Sequence, residues 1–271
     1  MKIVSFNVNS IRQRLHQLAC VIDKHTPEFI GLQETKVQDH EFPLADIEKL
    51  GYQALYAGQK THYGVALLSK TTCGKSYYGF PGDTEAAQKR FIGGEFEVDG
   101  RAMTVFNGYF PQGESRNHPV KFPAKARFYQ DLNLFLKHYD LKQTSLVIMG
   151  DYNIAPQDID IGIGEDNAKR WLRTGKTSFL PEEREWFEAL TGLGFYDGYR
   201  LCYAEEDNVF SWFDYRSKGY DREPRRGLRI DHLLVSEKLR PTVVDAGVDY
   251  DIRGMEKPSD HAPVWLELQF E

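Results

Sequence analysis

Leu146-Val-Ile-Met-Gly-Asp-Tyr-Asn-Ile154 is an apolar run cut off by a glycine, an acid and an amide. Four consecutive apolar residues that stop at Gly150-Asp151 read as a buried strand. The N-terminus repeats the arrangement: residues 2–8 alternate like a strand and end in Phe6-Asn-Val-Asn9. Two strands closed by the same kind of polar ending predict two sheets of similar build, packed face to face with helices outside.

The rest of the chain supplies those elements. Phe29-Ile-Gly-Leu-Gln33 is a short apolar strand running straight into Glu34. Residues 52–57, 64–69, 92–98, 102–110, 228–235 and 243–250 are further strand candidates. In 264–270 the apolar Val264, Leu266, Leu268 and Phe270 alternate with Trp265, Glu267 and Gln269, the period of a half-buried strand. Ser10 is placed to cap a helix carrying Ile11, Leu15, Leu18, Ala19 and Ile22, which Pro27 closes. A second helix is expected over 123–139 and another opening at Pro181, with acids favouring its positive end. No linker, short repeat or low-complexity segment interrupts the run, so residues 1–271 are expected to form a single α/β domain.

Composition narrows the function classes. The 271 residues are 41% hydrophobic and 13% aromatic, enough for a sizeable core. No apolar run approaches the roughly 20 residues that span a membrane, and the N-terminus turns polar too early for a secretory signal. Cys20, Cys73 and Cys202 are an odd, scattered set without metal spacing, which fits a reducing, cytoplasmic setting. A net charge of -6 argues against a protein whose only task is to bind nucleic acid. It is compatible with an enzyme whose acidic cluster holds a metal while basic loops meet phosphates.

The chemistry gathers at strand ends. Lys257-Pro-Ser-Asp-His-Ala-Pro-Val264 sets Asp260 beside His261 on a proline-stiffened loop just before a strand. Asn7, Glu34, Asp151, Asn153 and Asp231 likewise lie at or near the ends of apolar runs. Singly, each has a plain structural explanation: a solvated acid, a turn former, an Asx turn. Together they form an oxygen-rich, cysteine-free set with one histidine, suited to Mg²⁺ or Mn²⁺ with water completing the octahedron.

Ordered motifs along nearly the whole chain resemble the exonuclease III family of DNA-repair nucleases, in the endonuclease/exonuclease/phosphatase superfamily. They include Phe6-Asn-Val-Asn9, Leu32-Gln-Glu-Thr-Lys36, Asn107-Gly-Tyr-Phe-Pro-Gln-Gly113, Gly150-Asp-Tyr-Asn-Ile-Ala155, Ser211-Trp-Phe-Asp-Tyr-Arg216, Gly227-Leu-Arg-Ile-Asp-His232 and Ser259-Asp-His261. The resemblance implies an α/β four-layered sandwich of two packed mixed β-sheets flanked by helices. It also implies a divalent-metal-dependent phosphodiesterase, with Mg²⁺ or Mn²⁺ as cofactor and double-stranded DNA bearing abasic sites or damaged 3′ ends as partner. The implied activities are incision 5′ to abasic sites, 3′ to 5′ exonuclease and removal of blocked 3′ ends, by a monomer that uses no membrane.

Carried over residue by residue, Glu34 is the main metal ligand with Asn7 beside it, and Asp151, Asn153, Asp260 and His261 are further candidates. Asp231 would hold the ring of His261, which faces the scissile phosphate. Asp151 and Asn153 would position the attacking water, and Tyr109 would hydrogen-bond the phosphate or the leaving group. The sequence leaves open whether Asp151 or His261 is the general base.

Two basic stretches fit the substrate. Lys169-Arg-Trp-Leu-Arg-Thr-Gly-Lys176 offers Arg170, Arg173 and Lys176, and 216–229 begins with Arg216. Arg90, Lys121 and Lys125 are added as phosphate contacts. Trp212, Phe213 and Leu228 match the family's apolar pocket for a base-free sugar, with a core role as the plain alternative. Two other readings compete. A same-fold phosphoesterase acting on inositol phosphates or phospholipids would leave the basic-aromatic segment unexplained. A silent DNA-binding module would not need the acid-amide-histidine set.

Overall fold

The continuous apolar runs become the centres of two six-stranded sheets. In the computed structural model, which describes residues 1–270, the strands in chain order are β1 (Lys2–Asn7), β2 (Phe29–Gln33), β3 (Gln53–Ala57), β4 (Val65–Ser69), β5 (Lys75–Tyr78), β6 (Phe91–Val98), β7 (Arg101–Tyr109), β8 (Leu146–Asp151), β9 (Phe195–Asp197), β10 (Asp231–Ser236), β11 (Val243–Val248) and β12 (Val264–Leu268). Glu271, the last residue of the expected domain, lies outside the described residues. The helices are α1 (Ile11–His25), α2 (Leu44–Lys49), α3 (Lys121–Leu136), α4 (Glu165–Thr174), α5 (Pro181–Thr191), α6 (Gly198–Cys202) and α7 (Tyr250–Arg253).

One sheet runs β11-β12-β1-β2-β4-β3 and the other β5-β6-β7-β8-β10-β9. The echo between residues 2–9 and 146–154 is real at the level of pairing. β1 runs parallel to β2 and antiparallel to β12; β8 runs parallel to β7 and antiparallel to β10. The expected mixed sheets are therefore present in both halves.

Neighbouring residues on a strand point to opposite faces, and here both faces are covered. Ile3, Val147 and Met149 pack between the sheets with Phe29, Leu67, Val105 and Leu266. Val4, Ile30 and Leu32 face outward against Leu18, Val21 and Ile22 of α1. On the far side Ile148 and Phe106 meet Phe128, Leu132 and Phe135 of α3 and Phe187 of α5. Each such side chain contributes roughly 1.5–3 kcal/mol by leaving water, which is why these strands are apolar throughout. The layers are helix, sheet, sheet, helix.

A polar stitch crosses the inner layer near one edge. Asn107 donates to the carbonyls of Leu32 at 2.9 Å and Ala66 at 2.8 Å, and accepts from Gln33 Nε2 at 2.6 Å. Gly31 leaves room for it: a Cβ there would lie 2.8 Å from the Asn107 carboxamide and 2.9 Å from the Met149 sulfur.

Several boundaries differ from the sequence expectation. Ser10 stands at the start of α1 with φ 93° and makes no side-chain cap. The helix start is instead tied to the Glu34 loop, Ser10 N donating to Glu34 O at 2.8 Å and Ile11 N to Thr35 O at 3.1 Å. α3 begins at Lys121, two residues before Pro123. β10 begins at Asp231 rather than Leu228, because Leu228 is occupied in isolated bridges to Ile161 and Trp212. β5 is a largely exposed edge strand without apolar alternation, and β9 has only 3 residues, so neither carries a periodic signal.

Candidate active site

Six of the expected residues meet at one edge of the sandwich because their strands end there. β1 ends at Asn7, β2 hands over to Glu34, and β8 ends at Asp151. Register places both Tyr109 of β7 and Asp231 of β10 opposite Asp151. His261 enters from the loop before β12, its amide bonded to Ser259 Oγ, which itself donates to Asn7 O at 2.6 Å.

Asn7 joins the two sheets chemically. Its Nδ2 donates to Glu34 Oε1 and to Asp151 Oδ2, both at 3.0 Å. Glu34 and Asn153 adopt the left-handed region, φ 53° and 52°, which turns each side chain sharply off its strand. Asn153 is bound to Asp151 twice, backbone N to Oδ1 at 3.0 Å and Nδ2 to Oδ2 at 3.3 Å, and its Nδ2 also donates to Phe110 O. His261 Nδ1 meets Asp231 Oδ2 at 2.8 Å, and Nε2 lies 3.7 Å from Asp151 Oδ2.

The electrostatics follow from this crowding. Burial, together with the carboxylates of Asp231 and Glu34, pushes Asp151 up to about 7 despite the pull of His261. Burial alone would lower the His261 ring, but Asp231, Asp151 and Asp260 outweigh it and raise it to about 10. Burial and then Glu34 hold the Tyr109 hydroxyl well above its ordinary value, so it stays a donor.

Glu34, Asp151 and His261 can each offer one ligand atom within 4.8 Å of the others. Two carboxylates, an imidazole and neighbouring amides suit a hard divalent ion. Asp231 Oδ1 is buried with no hydrogen-bond partner, a second sign that the cluster carries more negative character than its own donors satisfy. The residues present fit the group.

Asp260 stands apart from that trio. Its two oxygens accept from Asn9 Nδ2 at 2.9 Å and Trp212 Nε1 at 3.0 Å, so its hydrogen bonds fix the cleft wall. The cleft above the cluster has a volume of about 330 Å³. Beyond the expected residues it is lined by Gln112, Trp171, Ser178, Asp214 and Ile230. Gln112, Asp214 and Ile230 sit inside motifs already quoted, and Trp171 is the aromatic interleaved in the basic run 169–176, signals that pointed to them; Ser178 had none. A larger cavity of about 880 Å³, between α4, α5 and residues 224–226, contains none of the cluster.

The other expected contacts divide. Lys176 and Arg216 line the cleft, with the Lys176 ammonium 3.7 Å from the centre of the Trp171 ring. Arg170, Arg173 and Lys121 are exposed, and Lys121 pairs with Glu114 at 2.6 Å. Lys125 is corrected: it is fully buried against Glu183 and cannot reach a phosphate. Arg90 is nearly enclosed, its guanidinium 4.3 and 4.6 Å from the rings of Tyr63 and Tyr109, where it supports Tyr109. Of the expected sugar pocket only Trp212 reaches the cleft. Phe213 is buried against Tyr220 and Tyr250, and Leu228 lies in the small core beneath. The apolar wall is made by Trp171, Trp212 and Ile230 instead.

Replacing Arg170, Arg173 and Lys176 together by alanine is expected to weaken binding to duplex DNA and flatten its salt dependence, by a slope of up to about 0.9 for each lost phosphate contact. Titrations at several salt concentrations measure this, and an unchanged slope returns the three to an ordinary solvated surface.

Comparison with known proteins agrees with this geometry. The family model described as the endonuclease/exonuclease/phosphatase family matches residues 4–261. The chain is 55% identical to exodeoxyribonuclease III of Haemophilus influenzae over 269 residues, 99% of this chain and 100% of that protein. Among solved structures it is similar to the 3′-5′ exonuclease NExo of Neisseria meningitidis, TM-score 0.89 and 35% identity over 100% of both chains. A further structure holds the Neisseria 3′ phosphatase NExo bound to a product DNA hairpin, with a TM-score of 0.89. An AP endonuclease from Archaeoglobus fulgidus matches at TM-score 0.89 and 31% identity, again over 100% of both chains.

Proposed function

The chain belongs to the endonuclease/exonuclease/phosphatase family, and we propose that it is a DNA-repair nuclease that hydrolyses phosphodiesters of duplex DNA with Mg²⁺ or Mn²⁺. As an exodeoxyribonuclease III homologue it is a phosphodiester hydrolase. The proposed reactions are incision 5′ to an abasic site, 3′ to 5′ exonuclease and removal of blocked 3′ ends, including 3′-phosphate. The observation that carries the reading is the set of Glu34, Asp151 and His261, braced by Asn7 and Asp231, at the floor of a cleft walled by Trp171, Trp212 and Ile230 and flanked by Lys176 and Arg216. A floor of carboxylates with cations on the wall suits a divalent ion and a phosphodiester together.

Glu34 and Asp151 are the residues that would hold the ion, with Asn7 and Asn153 alongside and the His261 ring beside them. When bound, it supplies charge neutralisation on the phosphoryl oxygen and on the departing 3′ oxygen. Asp151 and Asn153 orient a water for in-line attack. Asp151 is assigned as the general base, because Asn7 and Asn153 hold its carboxylate in the cleft where the attacking water would stand. His261, kept charged by Asp231, presents a fixed positive group to the phosphate rather than a base. Tyr109 donates its hydroxyl proton to a phosphate or leaving oxygen in hydrogen bonding without giving it up.

Residues 1–271 are proposed to act as one catalytic domain, a reading supported by a cleft lined by residues from Glu34 to His261, and a monomer is proposed with it. Free Cys20, Cys73 and Cys202 support a cytoplasmic setting. The test is a duplex oligonucleotide with a single synthetic abasic site, a second with a 3′-phosphate and an intact control, each with Mg²⁺. Cleavage 5′ to the abasic site and release of phosphate are expected. A protein that leaves all three duplexes untouched but hydrolyses inositol phosphates is the same-fold phosphoesterase instead.

A further inference from the structure

Lys125 and Glu183 are both fully buried and pair at 2.5 Å, 58 residues apart in sequence. A buried ion pair is a weak source of net stability, since desolvation of both charges offsets most of their attraction. What the two groups hold is more telling. The Lys125 ammonium donates to the backbone carbonyl of Asn153 at 2.8 Å and of Gln112 at 3.4 Å. The other Glu183 oxygen accepts the backbone amides of Ser178 at 2.7 Å and Leu180 at 2.8 Å.

Gln112, Asn153 and Ser178 come from three separate loops, following β7, β8 and α4, and all three line the cleft. Two of them are non-glycine residues at positive φ, 52° for Asn153 and 113° for Ser178. Such conformations are costly for a residue with a side chain and persist only where the surroundings over-determine them. The ion pair grips the peptide groups at both positions. Asn153 in turn orients Asp151 through its backbone N and its carboxamide.

We propose that Lys125 and Glu183 are positioning residues for phosphodiester cleavage: a buried clasp that binds the Gln112, Asn153 and Ser178 loops to one another around the cleft. The inference rests on the nuclease reading and adds to it two residues that touch neither substrate nor the metal-binding carboxylates. The clasp acts on kcat, because it sets where Asn153 and Asp151 stand. It leaves DNA affinity to the exposed cations.

The double variant Lys125→Met/Glu183→Gln removes both charges together, so no buried ion is left unpaired. With Mg²⁺ and the abasic duplex its kcat is expected to fall about 10- to 100-fold, the effect of misplacing a reacting group by about 1 Å, while KM stays near the wild-type value. Circular dichroism establishes that the variant is folded. A folded double variant with wild-type kcat, or one whose loss lies only in KM, overturns the inference. Failure of the wild-type protein to cleave the duplex overturns the nuclease reading instead. If the double variant does not fold, amide hydrogen exchange on the wild-type protein decides. The Ser178 and Leu180 amides should then exchange far more slowly than those of the exposed loop residues Glu205 and Asp207. Equal exchange overturns the clasp.

Discussion

Asp151→Asn is expected to lower kcat on the abasic duplex by about 10²–10⁴-fold, with little change in DNA affinity. The substitution keeps size and shape but removes the group that accepts a proton from water. It also turns one acceptor oxygen into a donor, in a site where Asn7 Nδ2 and Asn153 Nδ2 already point at Asp151 Oδ2. His261→Ala should produce a loss in the same range by a different route. It removes the positive ring held 2.8 Å from Asp231 and leaves that buried carboxylate without its partner. Affinity should survive both changes because the groups proposed to grip the duplex, Lys176 and Arg216 among them, stand on the cleft wall. Single-turnover cleavage together with equilibrium binding separates the two quantities. Near-normal turnover in both variants would remove the catalytic assignment.

Chelation of divalent ions should abolish cleavage altogether, and Mg²⁺ or Mn²⁺ should restore it. The same site predicts a pH-dependent stability. Asp151 is raised from 3.8 in the unfolded chain to about 7 in the fold. Between those values the folded state holds a proton that the unfolded state has lost. Stability from this group is therefore full below pH 3.8 and lost as pH rises through 7. An ion competes with that proton and replaces it once the carboxylate is bare. Added Mn²⁺ should accordingly raise Tm more at pH 8 than at pH 5, and Glu34→Gln should shrink the gain. The His261 ring, raised to about 10, stays charged across that interval, so the difference between pH 5 and pH 8 belongs mainly to Asp151. Equal gains at the two pH values, or full cleavage in excess chelator, would contradict the metal-site reading.

The same residues show where sequence is a sufficient guide and where it stops. Strands β2 and β8 were legible because both faces of each are buried, which forces apolar runs that end where the backbone reaches the open edge, and β1 from the alternation of residues 2–8. Asn7, Glu34, Asp151 and Asn153 were legible for the same reason: a polar group directly after such a run stands at that edge. The pairing of Asp231 with His261, 30 residues apart, was legible only through the family resemblance, because local pattern does not reach the antiparallel register and the loop before β12 that bring them together.

Cations are the opposite case. Lys125, Arg229 and Arg216 look alike in sequence, yet Lys125 is enclosed with Glu183, Arg229 is buried between Asp160 and Asp197 at 2.7 Å from each, and Arg216 lines the cleft. Trp212 and Phe213 are adjacent, but Trp212 reaches the cleft while Phe213 is enclosed in the core. Local pattern therefore determined the layers and the polar strand ends, because alternation and burial act between near neighbours in the chain. Only tertiary structure decided which charges are paired inside and which face the cleft, because a long side chain is assigned its partner by elements packed from elsewhere in the sequence.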